Sequence, residues 1–446
     1  MGIIIPLIVL LVFRINRIYD KQDKKVVISA LAIFFSISIV ALIFLQQELA
    51  IHSTLEGTIG TDAYRYWLVY KSGLDSNMNI IEFMKYLFGI GEGEISLFLA
   101  FYYVALKTFP IVTPILIKFI NILLSLNIIV LLYYYLEITE KNINLKSKKI
   151  ILYLLAFNGG IILTSIRLFK DILLLYILLE NIYNLLMLFE VKDKRRYKYL
   201  IRYVILAIIN NFMRDKSLII YIFLIIFYFI VVKFIIEHKK YNIKRLATIG
   251  VLVIILVTCI GLQLKGVRNF LNITQQTTLN DTENNYNSLI NSESEILNSD
   301  NTIKRAIVGT TRTLLLPTPF KTAILPINYD ESFFEGITSR VLEVEWQIIY
   351  IFIFSAFIYY CFVKLKSEDY KHMPLILFSI IQIITYSLMY FGGIQVRWKL
   401  PLIILFTIFF GKFINDKNKK DEKIYKLIIG IYLGVVILWA IIHLLR

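Results

Sequence analysis

Apolar runs recur along the whole chain, and that repetition constrains the fold more than any other feature. They fall near 2–13, 26–46, 95–136, 150–166, 172–189, 200–213, 217–236, 247–264, 346–363, 373–391, 399–414 and 424–443. A segment crossing hydrocarbon needs about 20 mostly apolar residues in a helix, which satisfies its own backbone where no water reaches. Several runs are shorter, so their ends must borrow neighbouring residues or thin the bilayer. With 58% hydrophobic residues, the chain also exceeds the roughly 45–50% of a soluble domain. The expectation is an all-α, polytopic integral membrane protein with about 12 transmembrane helices, forming a single membrane domain over 1–446. The run at 2–13 lacks the charged n-region and small-residue cleavage site of a signal peptide, so it reads as a retained first helix.

The net charge of +16 follows the same logic. Connectors that stay in the cytoplasm collect Lys and Arg, so the excess points to membrane topology and not to nucleic acid. The basic connectors are "RINRIYDKQDKK", "EKNINLKSKK", "VKDKRRYKYLIR", "EHKKYNIKR", "KLKSEDYKH" and "NDKNKKDEK". For all of them to face the cytoplasm, 95–136 must cross an odd number of times. With Lys107, Pro110, Pro114 and Lys118 inside it, this stretch reads as one span near 113–136 after a re-entrant or interfacial helix near 95–109. Two large loops then lie outside, a first loop at 47–94 and a long one at 265–345. Within the second, the polar stretch 271–302 is expected to be mobile, and 303–316 has the pattern of an interfacial helix. Cys259 and Cys361 form no disulfide framework, and the four histidines have no metal-ligand spacing.

Against this background three short turns on the outer side stand out. "SIRLFKD" carries Arg167, Lys170 and Asp171; "FMRDKS" carries Arg214, Asp215 and Lys216; "QVRWKLP" carries Arg397 and Lys399. Short outer loops should be poor in Lys and Arg, and charges near the hydrocarbon are costly unless paired or lining a polar cavity. Asp171 and Asp215 neutralise part of the charge. The surplus points to a shared anion site, most simply for phosphate, whose oxygens an arginine fork grips two at a time. Trp398 leaves headgroup anchoring open for Arg397 and Lys399. Arg312 and Lys321, in the long loop, are supporting cations. Glu343 and Glu345 precede the run at 346–363, where acids complement a helix N-terminus.

Asp62 lies in "GTIGTDAYRYWLVY", followed by Tyr64, Tyr66 and Trp67. A carboxylate in aromatic surroundings suits a general base, and aromatic faces stack on sugar rings. A turn-forming Asp in an interfacial aromatic belt remains the other reading. The chain has no P-loop, dinucleotide fingerprint, zinc-protease motif or nucleophile elbow. No soluble domain large enough to bind a nucleotide sugar in the cytoplasm is expected either, so any sugar donor would be lipid-linked and reached from the outer side.

The order of these pieces resembles that of bacterial polysaccharide polymerases of the Wzy type and of GT-C-type multi-pass membrane glycosyltransferases. The resemblance is carried by "TDAYRY", "SIRLFKDILLL", "NNFMRDKSLI", "PTPF" and "QVRWKLPL", from about 55 to 405. The last turn departs from the pattern, with Lys399 where a second arginine is expected. The resemblance implies transfer of repeat units from an undecaprenyl-diphosphate-linked oligosaccharide on the outer face of the cytoplasmic membrane, for surface polysaccharide. It casts Asp62 as the base and Arg167, Lys170, Arg214, Lys216, Arg397 and Lys399 as diphosphate ligands. No cofactor is required, although a divalent metal has room near Asp62. Partners would be the lipid-linked oligosaccharide, membrane lipids and a chain-length regulator. A GT-C transferase using a polyprenyl-phosphate sugar stays open, as does a lipid-linked oligosaccharide flippase.

Overall fold

A backbone in hydrocarbon has no water to bond, so a chain this apolar satisfies itself as helices. The computed structural model describes residues 3–52, 61–109, 113–140, 143–214, 217–237, 333–364, 367–389 and 399–444, and no strand occurs among them. The helices are α1 (Ile4–Asn16), α2 (Lys21–His52), α3 (Thr61–Asp75), α4 (Ile80–Gly89), α5 (Ser96–Lys107), α6 (Pro114–Thr139), α7 (Leu145–Ala156) and α8 (Gly159–Ser165). They continue as α9 (Asp171–Glu190), α10 (Arg196–Asn211), α11 (Ser217–Glu237), α12 (Phe333–Tyr359), α13 (Met373–Met389), α14 (Leu400–Asp416) and α15 (Lys419–Leu444).

Among the described residues, four segments are long and apolar enough to cross a membrane: Lys21–Phe44, Pro114–Thr139, Asp171–Glu190 and Arg340–Val363. The pair α7 and α8, bent by 46°, makes a fifth if counted as one span. The sequence runs imply about twelve, and the difference has physical sources. The helix α1 has 13 residues and α14 has 17, short of a full crossing. Three cations, Arg196, Lys198 and Arg202, fall within the first half of α10. The run at 247–264 lies outside the described residues, as do the expected mobile stretch 271–302 and interfacial helix 303–316.

The helix α6 is the axis of the bundle. Pro114 at its first turn gives up an N–H that would have no helical partner, and the Thr113 hydroxyl accepts from the Ile115 amide at 3.4 Å. Its 26 residues are buried on nearly every side, as a helix apolar all round requires. Around it pack α1, α2, α5, α7, α8 and α9. The short helix expected near 95–109 is α5, which is itself buried between α6 and the α3–α4 pair.

Ion pairs gather at one end, here called the basic end. Asp23 of α2 accepts from Tyr133 at 3.0 Å and pairs with Lys148 at 2.7 Å, and Lys148 also meets Glu137 at 2.6 Å. Glu140, just past α6, binds both His372 and Lys412. Lys371 pairs with Glu190 at 2.5 Å and donates to the Ile138 carbonyl at 2.9 Å. Tyr359 donates to Asp421 at 2.5 Å. Five of the six basic connectors therefore meet at the same end. Burial alone would raise the Glu140 carboxyl, but its bonds and charge interactions with His372 and Lys412 outweigh this and hold it below its ordinary value.

The α7–α8 pair is broken at Asn158, whose side chain caps α8 by accepting from the Ile161 amide at 3.0 Å. A Cβ on Gly159 would stand 2.0 Å from the Leu342 carbonyl oxygen, so only glycine permits α12 to come this close. Glu345 accepts from the Gly159 amide at 2.8 Å. This corrects the expectation for Glu343 and Glu345. The helix starts at Phe333, not near 346, so both acids lie well inside α12 and not at its N-terminus.

Candidate functional site

The turn between α8 and α9 sits at the end of the bundle opposite the basic end, and a single side chain holds it there. Asn121, fully buried in α6, donates to the carbonyl of Arg167 at 2.9 Å and to that of Phe169 at 3.3 Å. Its own side-chain oxygen accepts from the Tyr102 hydroxyl of α5. One turn further along α6, Ser125 shares a hydrogen bond with Ser165 at 2.7 Å. Buried polar groups cost free energy unless paired, and here each is paired to the segment that carries the charges. Arg167, Lys170 and Asp171 are half-buried on a turn fixed to the central helix. Asp171 opens α9, where its charge complements the helix N-terminus.

A further cation lies beside them. Lys118 has a relative exposure of 1%. With Asn121 and Ser125 it forms a stripe at i, i+3 and i+7 of α6, which places it one turn outward on the same face. In the sequence Lys118 counts only as a charge that limits 95–136 to one span, and Asn121 and Tyr102 carry no mark. The available signal was polar residues at helical spacing inside an otherwise apolar span.

Arg214 reaches the same end by a different route. A five-residue connector, 191–195, turns α9 back into α10, which packs along it, so the helix pair ends where α9 began. There Arg214 is half-buried, its amide bonded to the Asn210 carbonyl at 2.8 Å.

Compared with protein-family models, with curated proteins and with solved structures, the chain shows no match.

Lys399 is placed differently. It is fully buried just before α14, with its ammonium 5.5 Å from the centre of the Tyr350 ring in α12. At about 1.5 Å per residue, Asn121 stands about 28 Å from Glu140 along α6, and Lys399 about 20 Å from Lys412 along α14. Lys412, near the other end of α14, binds Glu140 at the basic end, so Lys399 lies toward the opposite end.

The aromatic cluster of the first loop is packed inward. Tyr66 and Trp67 are buried in α3, and Tyr66 meets Phe98 of α5 edge-on at 5.1 Å. Arg65, exposed, pairs with Glu92. Asp62 and Tyr64 belong to the first turn of α3, and their side chains lie outside what the structure describes. Asp215, Lys216, Arg312, Lys321 and Arg397 lie outside the described residues. Among the described residues there is no cluster of three or more His, Cys, Asp or Glu that fits a metal ion.

Proposed function

We propose that this chain is a cytoplasmic-membrane glycosyltransferase of about 12 spans that polymerises lipid-linked oligosaccharide repeat units. The donor is an oligosaccharide on undecaprenyl diphosphate, presented at the outer face, and the product is a surface polysaccharide. The observation that carries the reading is the turn bearing Arg167 and Lys170, fastened by Asn121 to the central helix at the end opposite the basic connectors.

In this reaction a hydroxyl of the acceptor sugar attacks the anomeric carbon of the donor from the side opposite the diphosphate. The new C–O bond forms as the old one breaks, with inversion, and undecaprenyl diphosphate leaves with the electron pair. Asp62 takes the hydroxyl proton. The developing negative charge falls on the diphosphate, where cations already held in place act without reorganising. Arg167, Lys170 and Arg214 supply that charge, joined by Lys216 and Arg397. Arg312 and Lys321 support it from the long loop. Lys399, buried just before α14, completes the set of diphosphate-binding cations.

The experiment is reconstitution in proteoliposomes with undecaprenyl-diphosphate-linked repeat units. A ladder of lengthened glycans with release of undecaprenyl diphosphate is expected. Addition of a single sugar from a polyprenyl-phosphate donor would instead identify the GT-C transferase alternative. A flippase is favoured by one observation, the broken α7–α8 pair with Glu345 at its break, since interrupted spans are common in transporters. It predicts movement of intact repeat units across the vesicle with no change in length.

A further inference from the structure

We infer that the segment 192–202, at the start of α10, is a docking surface for the anionic headgroups of phospholipids at the basic end. The inference rests on the placement of the chain in a membrane and is independent of the glycosyl-transfer reading.

Charge balance sets this segment apart. Lys192, Lys194, Arg195, Arg196, Lys198 and Arg202 stand against one acid, Asp193, and all seven are exposed. Asp193 pairs with Arg195 at 2.6 Å. Lys192, Lys194, Lys198 and Arg202 have no ion pair among the described residues. Other cations at the same end are matched: Lys148 with Asp23 and Glu137, Lys371 with Glu190, Lys412 with Glu140. The run at 416–426 sets three acids against five lysines. The dipole of α10 does not help either. Cations at a helix N-terminus oppose it, and the first turn of α10 holds no acid. The counter-charge must therefore come from outside the chain.

Geometry decides what supplies it. Tyr203, Ala207 and Asn210 form the buried side of α10. Lys198, Ile201, Arg202, Ile205 and Ile208 lie on the opposite side and are exposed. The cations thus share a face with the residues that meet lipid tails. From Arg196 to Arg202 the helix rises about 9 Å, close to the roughly 5–8 Å of headgroup on each side of the hydrocarbon. Tyr197 is exposed there too, with the Arg196 guanidinium 5.1 Å from its ring centre and donating to its hydroxyl at 3.2 Å. Tyrosine is enriched at that depth. The sign of the connector follows from topology alone. The continuation of its cations into α10, on the lipid-facing side, does not. Lipid phosphates at that level supply the missing negative charge, and clustered Lys and Arg beside a span gain from such a surface. The contact holds α10, and α9 packed along it, at a set depth.

The test uses the full chain in phosphatidylcholine nanodiscs holding a trace of photoreactive phosphatidylglycerol or, separately, photoreactive phosphatidylcholine. Labelled peptides are mapped by mass spectrometry. The phosphatidylglycerol probe is expected to label 192–208 more strongly, and added salt should narrow the difference. Lys194→Gln, Lys198→Gln and Arg202→Gln combined in one chain should bring the two probes level. Arg202→Gln alone should lower the preference about fivefold, the loss expected for one charge near an anionic surface. If the combined variant fails to accumulate, this single change carries the test. Lys194→Arg, Lys198→Arg and Arg202→Lys combined keep the charge and should keep the preference. Equal labelling by the two probes in the parent overturns the inference, as does a preference unchanged in the glutamine variants. Loss of the preference in the charge-keeping variant would mean that packing and not charge carries it, and also overturns the inference. If polyglutamate displaces the label as well as phosphatidylglycerol vesicles do, the surface takes any polyanion, an acidic protein segment included, and the assignment to lipid is overturned.

Discussion

The side-chain amide of Asn121 donates to the backbone carbonyl of Arg167 across 2.9 Å, joining the central helix to the turn before α9. The position of the charged turn therefore depends on a neutral residue in another helix. Asn121→Ala leaves two carbonyls and the Tyr102 hydroxyl without their partner. The expected loss is about 2–4 kcal/mol of stability, at about 1–3 kcal/mol per unmet buried group with partial relaxation. Polymer formation should fall further than the loss of folded protein explains. Thermal unfolding in detergent and product ladders from the same preparation measure both.

Gly159→Ala tests the close approach of α8 and α12. The added methyl meets the Leu342 carbonyl oxygen at 2.0 Å, and a backbone atom cannot rotate away. The helices must separate, at a cost of about 1–3 kcal/mol. Because α8 leads directly into the Arg167 turn, activity should fall with stability. A melting curve no different from that of the parent would show that α12 does not pack here.

Glu140→Gln removes the negative charge shared by His372 and Lys412, keeps a neutral amide oxygen as acceptor, and leaves a buried ammonium without its carboxylate. Breaking such a pair costs about 3–5 kcal/mol. The Glu140 carboxyl lies below its ordinary value of 4.5 in the folded protein. Its contribution is thus fully present above about pH 4.5 and is lost as pH falls through the lowered folded value. The gap in melting temperature between Glu140→Gln and its parent should be wide at pH 7 and narrow on acidification below pH 4.5. A gap that does not change with pH would contradict the assigned charge state.

Opposite placement of the two ends is open to labelling. In a background with Cys259 and Cys361 replaced by serine, Asp75→Cys and Lys194→Cys put single thiols at exposed positions near the distal and basic ends. A membrane-impermeant maleimide added to intact cells is expected to label the first and spare the second until lysis. Labelling of both before lysis, or of Lys194→Cys alone, would reverse or remove the topology.

Much of this arrangement is legible in the sequence where local chemistry decides it. Pro110 and Pro114 with Thr113 separate a short helix from a long one, and the structure has α5 ending at Lys107 and α6 starting at Pro114. The basic connectors announce a common end, and Glu140, His372 and Lys412 meet there. The break at Asn158 is not legible in that way. A Gly-Gly pair inside an apolar run fits a continuous span equally well, and only the approach of Leu342, far along the chain, makes glycine necessary. Glu345 misled for a related reason. Its helix begins earlier than hydropathy suggests, since residues from Phe333 onward are helical although mixed in polarity. Lys118 is legible as a charge within 95–136, but one lysine in an apolar run resembles a side chain reaching for the surface, and only its burial says otherwise.

The most direct measurement of the central claim is photo-crosslinking of the full-length protein in nanodiscs with a benzophenone-bearing isoprenoid diphosphate, mapped by mass spectrometry. Labels are expected in the peptides spanning 114–121 and 164–171, and excess unlabelled farnesyl diphosphate should remove them. Labels spread over the lipid-facing sides of α10 and α11, unaffected by that competitor, would contradict a diphosphate site at the Arg167 turn.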